Sequence, residues 1–335
     1  MRSSTGRIAR RSGAILLLLC LLLSSLAGCQ SRETPDGRIS VVSTLFPYYD
    51  FAKAIAGDRA SYKTLIRPGT DAHSFDPTPS DMRAIDGCDV FILTGGESDA
   101  WAEDLLLSVD CSKKTVIRAM DLVPTLEEIV GDEMTERGEE HGEEAHGEEA
   151  HGEEAHDGVE YDEHVWTSPK NAILIAREIA RVLCERDPDG KEYYTAAAAS
   201  YEAELLALDE AFRTGVAKSH KKTIVFGDRF PFRYLAEEYG IDCRAAFPGC
   251  SSETEPSVHT MIALTDLIRK EQIRVIYTAE YSSTAVAEVL SDDTDAEILE
   301  LHSCHSMRQE DIDRGETYLS VMYRNLENLK RGLSE

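Results

Sequence analysis

A tract of glutamate, glycine and histidine divides the chain and cannot join a hydrophobic core. Its sequence, HGEEAHGEEAHGEEAHDG, repeats a histidine every five residues: His141, His146, His151 and His156. Such a polar, low-complexity segment buries too little apolar surface to fold alone. Neutral imidazole binds zinc, copper and nickel, and glutamates attract cations. The tract therefore predicts a loop over residues 131–160 that collects divalent metal ions, with a solvated charged loop as the alternative.

The N-terminus has the features of a bacterial export signal. An apolar run, AILLLLCLLLSSLAG, ends at Cys29 and follows four arginines: Arg2, Arg7, Arg10 and Arg11. This arrangement predicts a signal peptide over residues 1–28, because the run is too short and asymmetric for a transmembrane helix. The tetrapeptide LAGC resembles the lipobox, which implies cleavage before Cys29 and a lipid on its sulfur. We expect an extracytoplasmic protein, anchored to the bacterial cell membrane by that lipid through a tether of residues 29–38.

The acidic charge of the chain restricts its partners. The formal net charge is −27 over 335 residues. Nucleic acid is excluded as a partner, because phosphate contacts require surfaces rich in lysine and arginine. Capture of cations is compatible with this charge. The length suffices for two domains with their own cores, and we expect a monomer.

Segments typical of strands and helices alternate on both sides of the polar tract. Continuous apolar runs such as 89–94 are typical of strands covered on both faces, and alternation with helices favours a parallel sheet. A periodic segment at 191–219 predicts a helix of roughly 40 Å, about the diameter of a domain. The predicted fold is α/β, with two doubly wound domains at 39–190 and 220–335 joined by this rigid helix.

Potential metal ligands stand after predicted strands or beside a helix start, where α/β sheets bind ligands. They come from both halves of the chain: His73, His164, Asp228, His302 and His305. A lone histidine after a strand is more often an ordinary surface or capping residue. Five such positions together predict a site in the interdomain cleft. Two or three imidazoles with one carboxylate suit zinc, and also manganese.

Three motifs resemble the metal-binding lipoproteins of zinc and manganese ABC importers, known as the cluster A-I or zinc-uptake family. They are PGTDAHSFDPTPSD, DEHVWTSP and the terminal GETYLSVMYRNLENLKRGL, and the resemblance extends over residues 38–332. It implies a solute-binding protein that passes Zn²⁺, or alternatively Mn²⁺, to an ABC permease. It also implies that His73 and His164 are the first two metal ligands.

The third and fourth ligands depart from that family's pattern. Counting from the strand places Asp228 in the third position, whereas counting back from Tyr234 places Arg229 there. Arginine keeps its proton and cannot bind a metal, so Asp228 is the expected ligand. His305 is expected in the fourth position, with His302 as the alternative. Three imidazoles favour zinc, while the carboxylate of Asp228 is also compatible with manganese as the bound metal.

Two other functions compete with transport. A zinc hydrolase requires an open coordination position and a nearby general base, and the sequence has no HExxH or comparable motif. We therefore expect no enzymatic activity. A surface metal buffer or adhesin, with the polar tract as its functional part, is the stronger alternative.

The cysteines suggest one disulfide. No CxxC spacing occurs, which argues against a structural zinc knuckle. Cys250 and Cys304 each follow a predicted strand of the second domain, in a compartment that permits disulfides. We expect these two cysteines to be bonded; the alternative is two thiols buried as small apolar groups.

Overall fold

Two four-stranded parallel sheets organise the chain from Ile39 onward. The computed structural model describes residues 37–67, 70, 75–129, 160–250 and 255–334. The first sheet has the strand order β2-β1-β3-β4, and each neighbouring pair is parallel. Its strands are β1 Ile39–Ser43, β2 Ala60–Thr64, β3 Val90–Leu93 and β4 Thr115–Arg118.

The second sheet repeats the topology of the first. Its order is β6-β5-β7-β8, again with parallel pairing throughout. Its strands are β5 Thr223–Arg229, β6 Asp242–Phe247, β7 Val275–Thr278 and β8 Glu297–Glu300. In this order the connections leave the two central strands in opposite directions, which opens a crevice beyond their carboxyl ends.

Helices cover both faces of each sheet. Successive residues of one strand, which point to opposite faces of the sheet, belong to different core clusters. Examples are Val41 and Val42 in β1, and Val225 and Phe226 in β5. The helices of the described residues are α1 Phe46–Ala56, α2 Pro79–Gly87, α3 Ala100–Leu106, α4 Pro169–Arg186, α5 Lys191–Ala217, α6 Arg233–Tyr239, α7 Val258–Glu271, α8 Ala285–Thr294, α9 Gln309–Asp313 and α10 Tyr318–Ser334. The doubly wound α/β architecture predicted from the sequence is confirmed.

The long helix α5 joins the two halves. It is 27 residues long, or roughly 40 Å, and packs against α1 and α4 on one side of the division and against α6 and α10 on the other. Its buried face repeats every three or four residues: Tyr194, Tyr201, Leu205, Leu208, Phe212 and Val216. These side chains belong to one apolar cluster that includes residues of both sheets. Bending at α5 would expose that cluster, so the shared core restrains motion between the halves.

Most predicted elements occur close to their expected positions. Strand β3 lies within the apolar run 89–94, and α5 begins at the predicted residue 191 and ends two residues before 219. Strand β2 begins at Ala60, which pairs with Ile39 at the start of β1. Helix α9 was not predicted, since its short polar sequence lacks an apolar stripe.

The predicted disulfide between Cys250 and Cys304 is wrong, because both residues are free thiols in the structure. Cys304 is fully buried, and its thiol donates to the carbonyl oxygen of His302. The backbone N–H of Cys250 donates to Glu128, and burial among carboxylates raises the pKa of its thiol. The two loops follow strands of one sheet, but the two thiols have different neighbours.

The predicted export signal, tether and lipidated Cys29 lie outside the described residues, apart from the last two positions of the tether. Within the ranges that the structure describes, no helix combines the length and the apolar character needed to cross a bilayer.

Asp50 provides a test of the packing between α1 and α10. Its carboxylate is buried and accepts a hydrogen bond of 2.9 Å from the backbone N–H of Tyr318. Burial raises its pKa from 3.8 to about 6, against the opposing effects of that hydrogen bond and of Lys53. Because the folded-state pKa is the higher one, the ionised carboxylate destabilises the fold. This penalty is complete above pH 6 and declines as the pH falls toward 4.

We predict that Asp50→Asn raises the unfolding free energy at pH 8 by about 1–3 kcal/mol, because the amide oxygen still accepts from Tyr318 without carrying charge. The gain should be smaller at pH 5. Urea unfolding of the metal-free protein at both pH values measures it, with exposed Asp104→Asn as the control. A variant that is less stable than wild type at pH 8 would contradict this electrostatic account.

Candidate metal centre

A pocket of about 230 Å³ lies beyond the carboxyl ends of β5 and β7. Residues from both halves of the chain line it, and we call it the cleft pocket. Its potential metal donors are His164, Asp228, Glu280 and His305. This position is the crevice that the strand order of the second sheet creates.

Asp228 reaches the cleft pocket through an irregularity near the end of β5. The pairing register with β6 shifts between Phe226 and Arg229, and such bulges redirect side chains. The Asp228 carboxylate is 7% exposed and accepts a hydrogen bond of 3.2 Å from the backbone N–H of Ala279. Gly227 is needed beside it, because a Cβ there would lie 2.6 Å from the backbone of Ala287.

Glu280 is a pocket residue that the sequence prediction missed. It stands two residues after β7 and is 8% exposed. Its carboxylate accepts two hydrogen bonds of 2.6 Å from Ser303, one from the backbone N–H and one from the hydroxyl. The rule that selected Asp228, a potential ligand just after a strand, also applies to Glu280, because Glu280 follows β7. Consistent use of that rule would have identified it.

His164 enters the pocket from the first half of the chain. It precedes a 3-10 turn at Val165–Thr167 and is fully buried. Its Nδ1 lies 3.1 Å from Asp162 Oδ1, and its backbone N–H donates to the same oxygen at 2.8 Å. Burial lowers the pKa of His164, but Asp162, Glu163 and Glu128 together outweigh it and the net direction is upward. Because a carboxylate only accepts, Nδ1 carries the proton in the neutral ring and Nε2 keeps a lone pair.

His305 packs directly against His164 and Trp166. Its ring centroid is 4.8 Å from that of His164 and 4.9 Å from that of Trp166, with both pairs near perpendicular. Its backbone carbonyl accepts from the N–H of Phe46 at 3.1 Å, and the indole of Trp166 donates to the carbonyl of Ser303 at 2.7 Å. The loop that carries His305 is thereby attached to the other half of the molecule.

His302 occupies a different environment. Its Nδ1 accepts from the backbone N–H of Cys304 at 3.0 Å, and its ring packs against Tyr281. The side-chain amide of Asn325 accepts a hydrogen bond from the backbone N–H of His302 and donates one to the carbonyl oxygen of His302. His302 is absent from the lining of the cleft pocket, whereas His305 is part of it. Between them Cys304 has φ +66°, and this left-handed residue sends the two rings in different directions.

The remaining predicted ligands lie outside the described residues: His73, His141, His146, His151 and His156. Within the described part of the chain, no three His, Cys, Asp or Glu side chains already stand close enough together to hold a metal ion. His164 and His305 are adjacent, while Asp228 and Glu280 are turned to backbone and hydroxyl donors. A carboxylate that shares an ion with the imidazoles must therefore move toward them from its present position.

Comparison with known proteins gives the family. Residues 41–332 match the model for ZnuA, described as zinc-uptake complex component A, periplasmic. The chain belongs to this family. This match confirms the family resemblance that the loop motifs indicated.

Relatives within the family extend along almost the whole chain. Zinc-binding lipoprotein AdcA of Streptococcus pneumoniae serotype 4 is 35% identical over 319 residues, which are 94% of this chain but 60% of AdcA. High-affinity zinc uptake system protein ZnuA of Bacillus subtilis strain 168 is 30% identical over 326 residues, 96% of this chain and 97% of ZnuA. The chain thus spans less than two thirds of AdcA.

A solved structure agrees with the fold described above. The crystal structure of the Zn(II)-bound ZnuA-like domain of Streptococcus pneumoniae AdcA superposes with a TM-score of 0.71 and 31% identity. The comparison covers 89% of this chain and 100% of that domain.

Trp166 allows a direct test of the connection between the two halves of the centre. We predict that Trp166→Phe lowers the unfolding free energy by about 1–3 kcal/mol, because the buried carbonyl of Ser303 loses its donor. Urea unfolding of the metal-free protein measures the loss.

Trp101→Phe is the matched control. The indole N–H of Trp101 has no hydrogen-bond partner within the described residues, so this substitution removes a similar volume without a bond. Equal losses in the two variants would show that the Trp166–Ser303 bond contributes nothing beyond packing.

Proposed function

We propose that this chain is an extracytoplasmic solute-binding lipoprotein that captures Zn²⁺ in the cleft pocket and delivers it to the permease of an ABC importer. The observation that carries the proposal is the pair of adjacent imidazoles, His164 and His305, at the lining of one pocket. Its family comprises solute-binding transport proteins rather than enzymes. The names of AdcA and ZnuA support zinc as the cargo.

The proposed ligands of the ion are His73, His164, Asp228 and His305. Glu280 is an additional candidate, since it lines the same pocket and offers a buried carboxylate. Nitrogen and oxygen donors in a four-coordinate set suit zinc, and a majority of imidazoles favours zinc over manganese. Arg229 also lines the pocket, but its guanidinium cannot coordinate a cation.

The export and membrane anchor complete the proposed function. A signal peptide at 1–28 directs export and is cleaved before Cys29, and a lipid on Cys29 with a tether at 29–38 then holds the protein at the outer face of the cell membrane. Domains 39–190 and 220–335, divided by the helix at 191–219, act as a monomer. The basic n-region and the LAGC sequence support the anchor.

The acidic loop begins and ends beside the cleft pocket. Glu127 and Tyr161 form an antiparallel bridge, and the N–H of Asp162 donates to the carbonyl of Leu126 at 2.9 Å. Tyr234 contacts the segments on both sides of the loop, because its hydroxyl donates to the carbonyl of Asp162 and accepts from the N–H of Leu126. His164 follows this closure by two residues. This geometry supports a loop that collects zinc weakly and supplies it to the main site.

We predict that His305→Ala weakens zinc binding by more than the roughly 10- to 100-fold that is typical of changes outside the ligand set. His302→Ala should have the smaller effect, because its ring contacts Tyr281 and the backbone of Cys304 instead of the pocket. Competition with a chromophoric chelator measures both affinities. A larger loss in His302→Ala would move the fourth ligand to His302.

Deletion of residues 139–157 distinguishes the proposed transport function from the alternative of a metal buffer. We predict that deletion lowers the total zinc bound per protein and leaves one tight site, since the proposed ligands lie outside the deleted segment. Equilibrium dialysis with zinc gives the stoichiometry, and chelator competition gives the affinity that remains. Loss of nearly all binding would favour the alternative, a surface metal buffer or adhesin whose loop is the functional part.

A further inference from the structure

Ser303 contacts two candidate metal ligands at once, Glu280 and His305. It is 2% exposed and follows β8. Its hydroxyl donates to Glu280 Oε1 at 2.6 Å and lies 2.7 Å from Nδ1 of His305. Its backbone N–H donates separately to Glu280 Oε2 at 2.6 Å. Glu280 thus keeps one bond to residue 303 that does not depend on the side chain.

The number of protons available determines which atom donates and which accepts in each of these hydrogen bonds. A hydroxyl has one proton, and a carboxylate can only accept. The Ser303 proton therefore lies toward Glu280. The Ser303 oxygen, with two lone pairs, accepts from the backbone N–H of His305 at 3.3 Å and is left to accept from its ring Nδ1 as well. In the neutral imidazole of His305, Nδ1 then carries the proton and Nε2 carries the lone pair.

The same tautomer is favoured at His164 by a different residue. There Asp162 contacts Nδ1 directly at 3.1 Å, which also leaves the lone pair on Nε2. Partners that accept from the second ring nitrogen orient the imidazole and raise the basicity of the nitrogen that binds the metal. His164 has a carboxylate in this role, and His305 has a carboxylate that acts through a hydroxyl.

We propose that Ser303 is a positioning residue of the metal centre, whose hydroxyl joins Glu280 to His305 and holds His305 in the tautomer with its lone pair on Nε2. The effect on zinc rests on the function proposed above. The tautomer itself does not, because it belongs to the metal-free protein.

The first experiment measures the tautomer. Nitrogen-15 NMR of the metal-free protein at neutral pH, with His305 assigned from a His305→Gln variant, should show a protonated Nδ1 in wild type. Ser303→Ala should shift the population toward protonated Nε2. Ser291→Ala is the matched control, since it also removes a hydroxyl that donates to one partner, the carbonyl of Ala296 at 2.7 Å, and Ser291 is not among the residues that line the cleft pocket. An unchanged tautomer in Ser303→Ala, or a protonated Nε2 in wild type, overturns the positioning role.

The second experiment measures zinc affinity by chelator competition, with circular dichroism to verify folding. Ser303→Ala should bind zinc about 10- to 100-fold more weakly, while Ser291→Ala should bind like wild type. Ser303→Cys, which keeps the size and weakens the donor, gives an intermediate loss and replaces the alanine variant if that variant fails to fold. Equal affinity in all folded variants overturns the role of Ser303 in metal binding.

The two measurements separate this inference from the function on which it rests. A wild-type protein with protonated Nδ1 at His305 but no tight zinc site would overturn the proposed function and support the hydrogen-bond chain. Tight zinc binding in wild type with the same affinity and tautomer in Ser303→Ala would support the function and overturn the inference.

Discussion

The hydrogen bond from the indole of Trp166 to the carbonyl of Ser303 connects the two halves of the candidate metal centre. It joins a residue that stands two positions after His164 to one that stands two positions before His305. Buried at both ends, it cannot be exchanged for water without opening the cleft. The hydrogen bond from the backbone N–H of Phe46 to the carbonyl oxygen of His305 also joins the two halves. Both imidazoles are therefore held in contact before any ion enters.

The architecture around this connection limits the motion available for metal capture. One apolar cluster includes residues of both sheets and of the long helix α5, so wide separation of the halves would expose buried surface. The loops after β7 and β8 contain two residues with positive φ angles, Tyr281 and Cys304. Strained residues of this kind cluster at binding sites. We therefore expect the proposed zinc capture to depend on side chains and loops more than on domain closure.

The fold and part of the centre could be predicted because they depend on local signals. Helix α4 begins at Pro169 after the cap Ser168 and presents a continuous apolar stripe, so its bounds follow from the sequence. The choice between His302 and His305 could not follow in this way, because it depends on the left-handed backbone at Cys304. The disulfide prediction failed for a related reason, since the end of a strand fixes where a loop starts but not where its thiol points. Glu280 was overlooked although its position after β7 met the rule in use.

The central claim is that one cation binds between the two halves, on imidazoles that are already adjacent. Anomalous diffraction at the zinc absorption edge, from crystals of the full chain loaded with one equivalent of zinc, tests it most directly. The account predicts one strong peak in the cleft pocket, bonded to Nε2 of His164 and Nε2 of His305 at about 2.0–2.1 Å. A single peak elsewhere, or a peak in the cleft that bonds neither of these nitrogens, would contradict it.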